Sequence, residues 1–248
     1  MTANRSALGR LAITEAKLLL REPVALFWGF AFPIVLLIIM GLSAPRPQAD
    51  LGGLRLVDVY EPIVITFVIT VLSIQGMPAA LASYRERGVL RRLALTPAGP
   101  LRVLAAQLAV NFTVAMATTA GVLVAGRLAF GVALPRHLLA FLAVLMVLTG
   151  AMLAIGLLVT AVAPTGRTAS VIGAMLFFVL MFFAGLWIPR ALMSESLRQA
   201  SNYTPLGAGV RAMQDSIFGA GPALAPLALL GTYAVISAAV AVRVFRWQ

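Results

Sequence analysis

Charge is what this sequence has least of. Of its 248 residues only 11% are Asp, Glu, Lys or Arg, while 61% are hydrophobic. An ordinary soluble domain carries roughly a quarter charged residues. With a mean hydropathy of +1.00 the chain cannot cover a water-facing surface, so lipid is the solvent it is built for. There is no cysteine, which excludes a disulfide framework and a thiolate metal site. Lys17 is the single lysine and no Gly-Lys pair occurs, so the chain has no phosphate-cradling loop of the P-loop kind. The one histidine, His137, stands beside Arg136 at a span boundary, with no Gly-x-Ser-x-Gly sequence elsewhere to pair with it. No cluster of metal-ligand residues is present either. No catalytic and no metal site is expected.

The charge that does occur is unbalanced, at +11. It lies between apolar runs, as anionic cytoplasmic lipids and the positive-inside bias require, and not along one face of a compact domain. Nucleic acid is therefore not expected as a partner. The first apolar run begins near Val24 and lacks a small-residue cleavage site, so a removable signal peptide is not expected. Abundant Ala, Gly and Arg beside a single Lys hint at a GC-rich bacterial genome, and so at a bacterial cell membrane.

Six apolar runs are long enough to cross roughly 30 Å of hydrocarbon: Val24–Leu42, Ile63–Leu81, Leu104–Gly126, Leu138–Ala163, Thr168–Ile188 and Ala223–Val242. None contains a charged residue. None alternates strictly, so the spans are helices and the fold class is an all-α membrane protein, a single transmembrane domain over residues 1–248. With the N-terminus inside, the inner segments hold twelve Lys and Arg and the outer ones seven, which places both termini in the cytoplasm.

Three connecting segments are more specific than the spans. Over residues 5–21 Leu8, Leu11, Ala12, Leu18 and Leu19 share one helical face and Arg10, Lys17 and Arg21 the opposite one, the pattern of an interfacial helix. A cytoplasmic helix is expected over residues 84–95. Its Glu86, Val89, Leu90 and Leu93 form a short stripe, flanked by Arg85 and Arg92 on one side and Arg87 and Arg91 on the other. Four arginines would each cost about 2.5–3.5 kcal/mol at mid-bilayer, so this helix lies outside the hydrocarbon, and Thr96-Pro97 ends it. Such a stripe suits a groove on a partner protein; a helix floating on anionic lipid is the plainer reading. The outer segment, residues 189–222, is too long to be structureless. Ala191–Gln199 reads as one short helix, and Thr204-Pro205 as the N-cap and first residue of a second one running to about Phe218. The two form a re-entrant hairpin or a surface cap, with Pro189, Pro205, Leu206 and Gln214 as its marker residues.

The polar residues inside the spans are few. Thr70, Ser73, Gln75, Gln107, Asn111 and Thr118 are the candidates to line a path, although helix-to-helix hydrogen bonding is the plainer role for most threonines. No span holds the carboxylates, arginines or histidines of a proton- or ion-coupled carrier.

Several of these stretches together resemble the permease subunits of bacterial ABC exporters of the drug-resistance and polysaccharide-export type. They are Glu15-Ala16-Lys17, Arg21-Glu22-Pro23, Phe32-Pro33 and Gly41, then Glu86-Arg87-Gly88-Val89-Leu90-Arg91-Arg92-Leu93-Ala94-Leu95-Thr96-Pro97, and lastly Ala184-Gly185-Leu186-Trp187-Ile188-Pro189 and Thr204-Pro205-Leu206-Gly207 with Gln214. Ala208 departs from the pattern, where a polar or aromatic residue is common. The resemblance implies a six-span subunit that pairs with a second permease subunit, identical or not, above two copies of a nucleotide-binding ATPase subunit. ATP and Mg would be bound by that partner and no cofactor by this chain. It implies that the segment around Glu86 is the coupling helix seated on the ATPase. A path lined by uncharged polar groups suits a hydrophobic or amphipathic cargo (a drug, antibiotic or lipid). Four Tyr and three Trp are few for stacking on a polysaccharide, the alternative cargo. A channel or secondary carrier, a membrane enzyme and a non-transporting scaffold are the rival readings.

Overall fold

The structure is a computed structural model that describes residues 21, 23, 27–89, 99–219, 221 and 224–244, with residues 99–101 described by backbone alone. The interfacial helix expected over residues 5–21 falls almost wholly outside the described residues, as do Val24, Leu90, Arg91, Arg92 and Leu93.

Every regular element among the described residues is helical, apart from one isolated bridge between Gln48 and Leu54. α1 spans Phe27–Ser43 and opens with a π-helical turn over Phe27–Ala31. α2 runs without a break through Leu56–Glu86, α3 through Gly99–Phe130, α4 through Leu138–Val162 and α5 through Gly166–Ala184. Two short helices follow, α6 (Glu195–Asn202) and α7 (Pro205–Ile217), and then α8 (Leu224–Val244). Five of these, α2, α3, α4, α5 and α8, are long and apolar enough to cross a membrane; α1 is a shorter apolar helix.

α2 is the central element. It packs against α1, α3, α4, α5 and α7, and Ile63, Val64, Ile65, Val68 and Ile69 are fully enclosed. So many β-branched residues would weaken a helix in water. In lipid the backbone has no other way to satisfy its hydrogen bonds, and burial among five neighbours fixes the conformation. At 31 residues α2 is roughly 46 Å long, well over the roughly 30 Å of hydrocarbon, so both of its ends reach the interface. It begins at Leu56, seven positions before the apolar run read from the sequence, because Pro62 is accommodated inside it. The missing N–H of Pro62 frees a carbonyl one turn back, a loss that membrane helices tolerate when neighbours surround them. The expectation of charge-free spans is thereby corrected: α2 carries Asp58 and Glu61, both buried.

Midway, α2 widens into a π-helical segment over Val71–Gly76, just ahead of Pro78. The bulge pushes the Ser73 and Ile74 carbonyls against Gly156 of α4 and Gly173 of α5, and a Cβ at either glycine would run into them. These glycines let two helix backbones reach the bulge. The buried face of α5 follows the same logic: Gly166, Ala169 and Gly173 at one end give way to Phe177 and Met181 at the other.

Outward, the bundle is greasy. Leu128, Leu139, Phe178, Leu224, Val235 and Val242 are all more than half exposed, as lipid-facing side chains should be and water-facing ones should not. α7 is the inverse case, a short helix with Leu206, Val210, Met213 and Ile217 fully buried, inserted among α2, α4, α5 and α8.

Candidate functional site

The helix expected over residues 84–95 does not open at Tyr84. Tyr84, Arg85 and Glu86 form the last turn of α2, which ends in an Arg87–Gly88 turn with Gly88 at φ 68°. The Gly88 N–H donates to the Arg85 carbonyl and the Arg87 N–H to that of Ser83, closing the last turn of the helix. A left-handed φ is nearly free for glycine and costs other residues roughly 1–2 kcal/mol. The chain therefore turns at Gly88 and a new direction starts at the half-buried Val89.

Arg85 and Glu86 clasp the connection between α4 and α5. The Arg85 guanidinium donates to the carbonyls of Thr160, at 3.5 Å, and Ala163, at the C-terminus of α4. One Glu86 carboxylate oxygen accepts from the Gly166 N–H at 3.2 Å, at the first residue of α5. The signs match the helix ends, a cation on the carbonyl terminus and an anion on the amide terminus. Thr165 completes the cap by accepting from the Thr168 N–H. Gly166 also leaves room for the Ser83 side chain, one turn before Glu86. Glu86 and Arg87 are otherwise exposed, so the clasp holds the bundle with one edge and offers the other outward.

The six polar span residues behave differently. Thr70 (0% exposed), Ser73, Gln107, Asn111 and Thr118 are buried and Gln75 is half-buried. The Thr70 hydroxyl donates to the Thr66 carbonyl one turn back, and the Asn111 amide donates to the carbonyl and side chain of Gln107. None of the six lines the three cavities described in this structure. Among the described residues the buried side-chain oxygens without a hydrogen-bond partner are Glu61 Oε2, Thr118 Oγ1 and Thr119 Oγ1, all on α2 and α3. Glu61 lay outside the second span as read from the sequence because the charge-free apolar run opens at Ile63. Its other oxygen lies against Gly126 of α3, 2.6 Å from where a Cβ would stand.

At the opposite end of the bundle, Arg55 joins α2 to α3. It chelates Asp58 through Nε at 2.9 Å and Nη2 at 2.7 Å and donates to the Phe130 carbonyl, at the end of α3, at 2.6 Å. Beside it the marker residues fall into two groups. Pro189 precedes the 3-10 turn Arg190–Leu192. Thr204 caps α7 by accepting from the Gly207 N–H, Pro205 and Leu206 occupy its first turn in full burial, and Gln214 is half-buried near its end. The first short helix begins at Glu195, after Ser194, and not at Ala191.

The described residues form a helical bundle in which five helices are long and apolar enough to cross a membrane, three of its helices tied together at one end by Arg85 and Glu86. Residues 7–218 match the family model described as ABC-2 type transporter; the chain belongs to that family and is an ABC-2 transporter membrane permease. Membership implies a membrane setting and association with an ATPase subunit, which this chain is not. A search of curated proteins finds no match.

Proposed function

We propose that this chain forms the membrane path of an ATP-driven exporter for a hydrophobic or amphipathic cargo (a drug, antibiotic or lipid). In this reading two permease subunits stand above two ATPase subunits in a bacterial cell membrane, with both termini and the Glu86 end in the cytoplasm. The observation that carries it is the clasp. Closure of an ATPase dimer on nucleotide supplies a difference in free energy between two arrangements. That difference reaches the spans only through a rigid link, and Arg85 and Glu86 supply one to α2, α4 and α5 together. Val89, Leu90, Arg91, Arg92 and Leu93 are the residues that would seat on the ATPase, with Arg87 and Gly88 as the turn between. The six polar span residues are closed within one subunit, which favours a path opened between two subunits. The apolar outer faces of the spans, which would line such a path, support an amphipathic or lipophilic cargo over an ion.

The test is reconstitution of the permease with the ATPase encoded beside it, recognisable by Gly-x-x-x-x-Gly-Lys-[Ser/Thr]. Vanadate-sensitive transport and cargo-stimulated ATP hydrolysis are expected. Transport that persists without any ATPase would remove the proposal in favour of a channel or carrier.

A further inference from the structure

Three arginines converge where the chain passes between α5 and α8. Arg190, Arg198 and Arg211, with Ala191, Asn202 and Gln214, line a cavity of about 430 Å³. Arg190 is only 7% exposed, and the hydrogen bonds it makes go to neutral acceptors, the Ser201 hydroxyl and the Asn202 side-chain oxygen at 2.6 Å. The nearby carboxylates serve the other two: Glu195 pairs with Arg198 on the exposed face of α6, and Asp215 meets Arg211 loosely at 3.8 Å. Burial, together with the charges of Arg211 and Arg198 and only partly offset by Asp215, lowers the Arg190 pKa to about 10, so it remains a cation at neutral pH while its charge is opposed. A buried guanidinium facing two like charges is a site short of an anion.

The cavity does not end there. A second one, of about 560 Å³, shares Asn202 and Arg211 with it and continues along α8 past Ala225, Pro226, Ala228, Leu229 and Thr232. The trough is mostly apolar, and it lies on a helix whose neighbouring Leu224 and Val235 are more than half exposed. Next to it, the Tyr233 hydroxyl donates to the Tyr203 carbonyl at 2.9 Å and so ties α8 to the end of α6. A polar end rich in guanidinium groups, joined to an apolar groove on a lipid-facing helix, has the proportions of one amphiphile.

We propose that this is a binding site for an anionic phospholipid, its phosphate held by Arg190, Arg198 and Arg211 and an acyl chain laid along Ala225, Ala228 and Leu229 of α8. Guanidinium groups match phosphate oxygens in pairs. The site goes beyond the transport reading and is independent of it, since lipid occupancy is measured with no ATPase present.

The experiment uses the full chain in detergent, titrated with phosphatidylglycerol and with phosphatidylcholine of the same acyl chains, and read by native mass spectrometry. Phosphatidylglycerol is expected to bind at least about tenfold more tightly, about 1.4 kcal/mol. The Arg198→Gln/Arg211→Gln double variant, altered at two half-exposed positions, should lose that preference. Ala228→Trp leaves the arginines in place and fills the trough; it should weaken the lipid and not inorganic phosphate, which is titrated separately. Equal binding of the two lipids, or an undiminished preference in both variants, overturns the site. Inorganic phosphate that displaces the lipid fully, with Ala228→Trp silent, overturns the phospholipid assignment in favour of a free anion.

Discussion

Glu86 Oε2 accepts a hydrogen bond from the Gly166 backbone N–H at 3.2 Å, across eighty positions of sequence, so the last turn of one span caps the first turn of another. Reversing the charge puts a cation on an amide terminus and leaves that N–H without its acceptor. In the reconstituted complex Glu86→Lys should therefore lower cargo transport at least about tenfold while ATP hydrolysis and membrane insertion persist; Glu86→Gln, which retains an acceptor oxygen, should fall less than about threefold. Full transport by the lysine variant would mean that the clasp does not transmit.

The π-helical bulge of α2 gives a prediction with built-in controls. Gly156→Ala and Gly173→Ala drive a methyl group into the Ser73 and Ile74 carbonyls. Each should cost about 1–3 kcal/mol as the helices are pushed apart, visible as a lower midpoint of thermal unfolding in detergent. Gly121→Ala and Gly150→Ala, where a Cβ meets nothing within 4 Å, should leave that midpoint unchanged or slightly raised.

Glu61 and Gly126 form a pair that a double-mutant cycle can measure. Gly126→Ala sets a methyl group 2.6 Å from a Glu61 oxygen and should destabilise the bundle by roughly 1–2 kcal/mol. Glu61→Ala removes the obstacle, and with it a carboxyl oxygen that has no hydrogen-bond partner. The two effects should not add; a coupling of about 0.5–2 kcal/mol of the compensating sign is expected. Simple additivity in the unfolding midpoints would show that the side chains do not meet.

The anion site has its own pH dependence. Burial holds the Asp215 pKa above the ordinary carboxylate value, against the lowering effect of Arg211 and Arg190. A raised pKa means that Asp215 takes up its proton earlier as pH falls, and the folded state gains by it below that value. As it neutralises, the anion that competes for Arg211 disappears, so phosphatidylglycerol should bind more tightly as pH falls from neutral through that raised value, while the lipid phosphodiester keeps its charge. Asp215→Asn should reproduce the tighter binding and abolish the pH effect. Glu195 is the other nearby carboxylate and would be identified as the source if the effect survived that substitution.

The spans were legible because apolar length is a local property. Ile63–Leu81 and Leu138–Ala163 announce themselves as hydrocarbon-crossing segments, and the all-helical class follows from the backbone's needs in lipid. What escaped was whatever depends on a partner far along the chain. Glu86 stood out as a carboxylate on a stripe, yet nothing near it points to Gly166, because a helix-capping contact between spans leaves no periodic trace. Glu61 was left out because the apolar run is free of charge only from Ile63, whereas the packed helix extends back past Pro62 to Leu56. The convergence of Arg190, Arg198 and Arg211 appears only once α6 and α7 fold back; along the sequence they were three cations scattered in an outer segment. Thr204-Pro205 was readable because a cap and the residue it serves are three positions apart.

Gly88 has a consequence for how such proteins diversify. Because the chain changes direction at one left-handed residue, α2 ends at a point fixed by its own backbone, and its hold on the ends of α4 and α5 through Arg85 and Glu86 is complete before that turn. In the proposed exporter the choice of motor would then be modular: the residues beyond the turn would be exchanged to suit a different ATPase, while the lever that receives the push stayed the same.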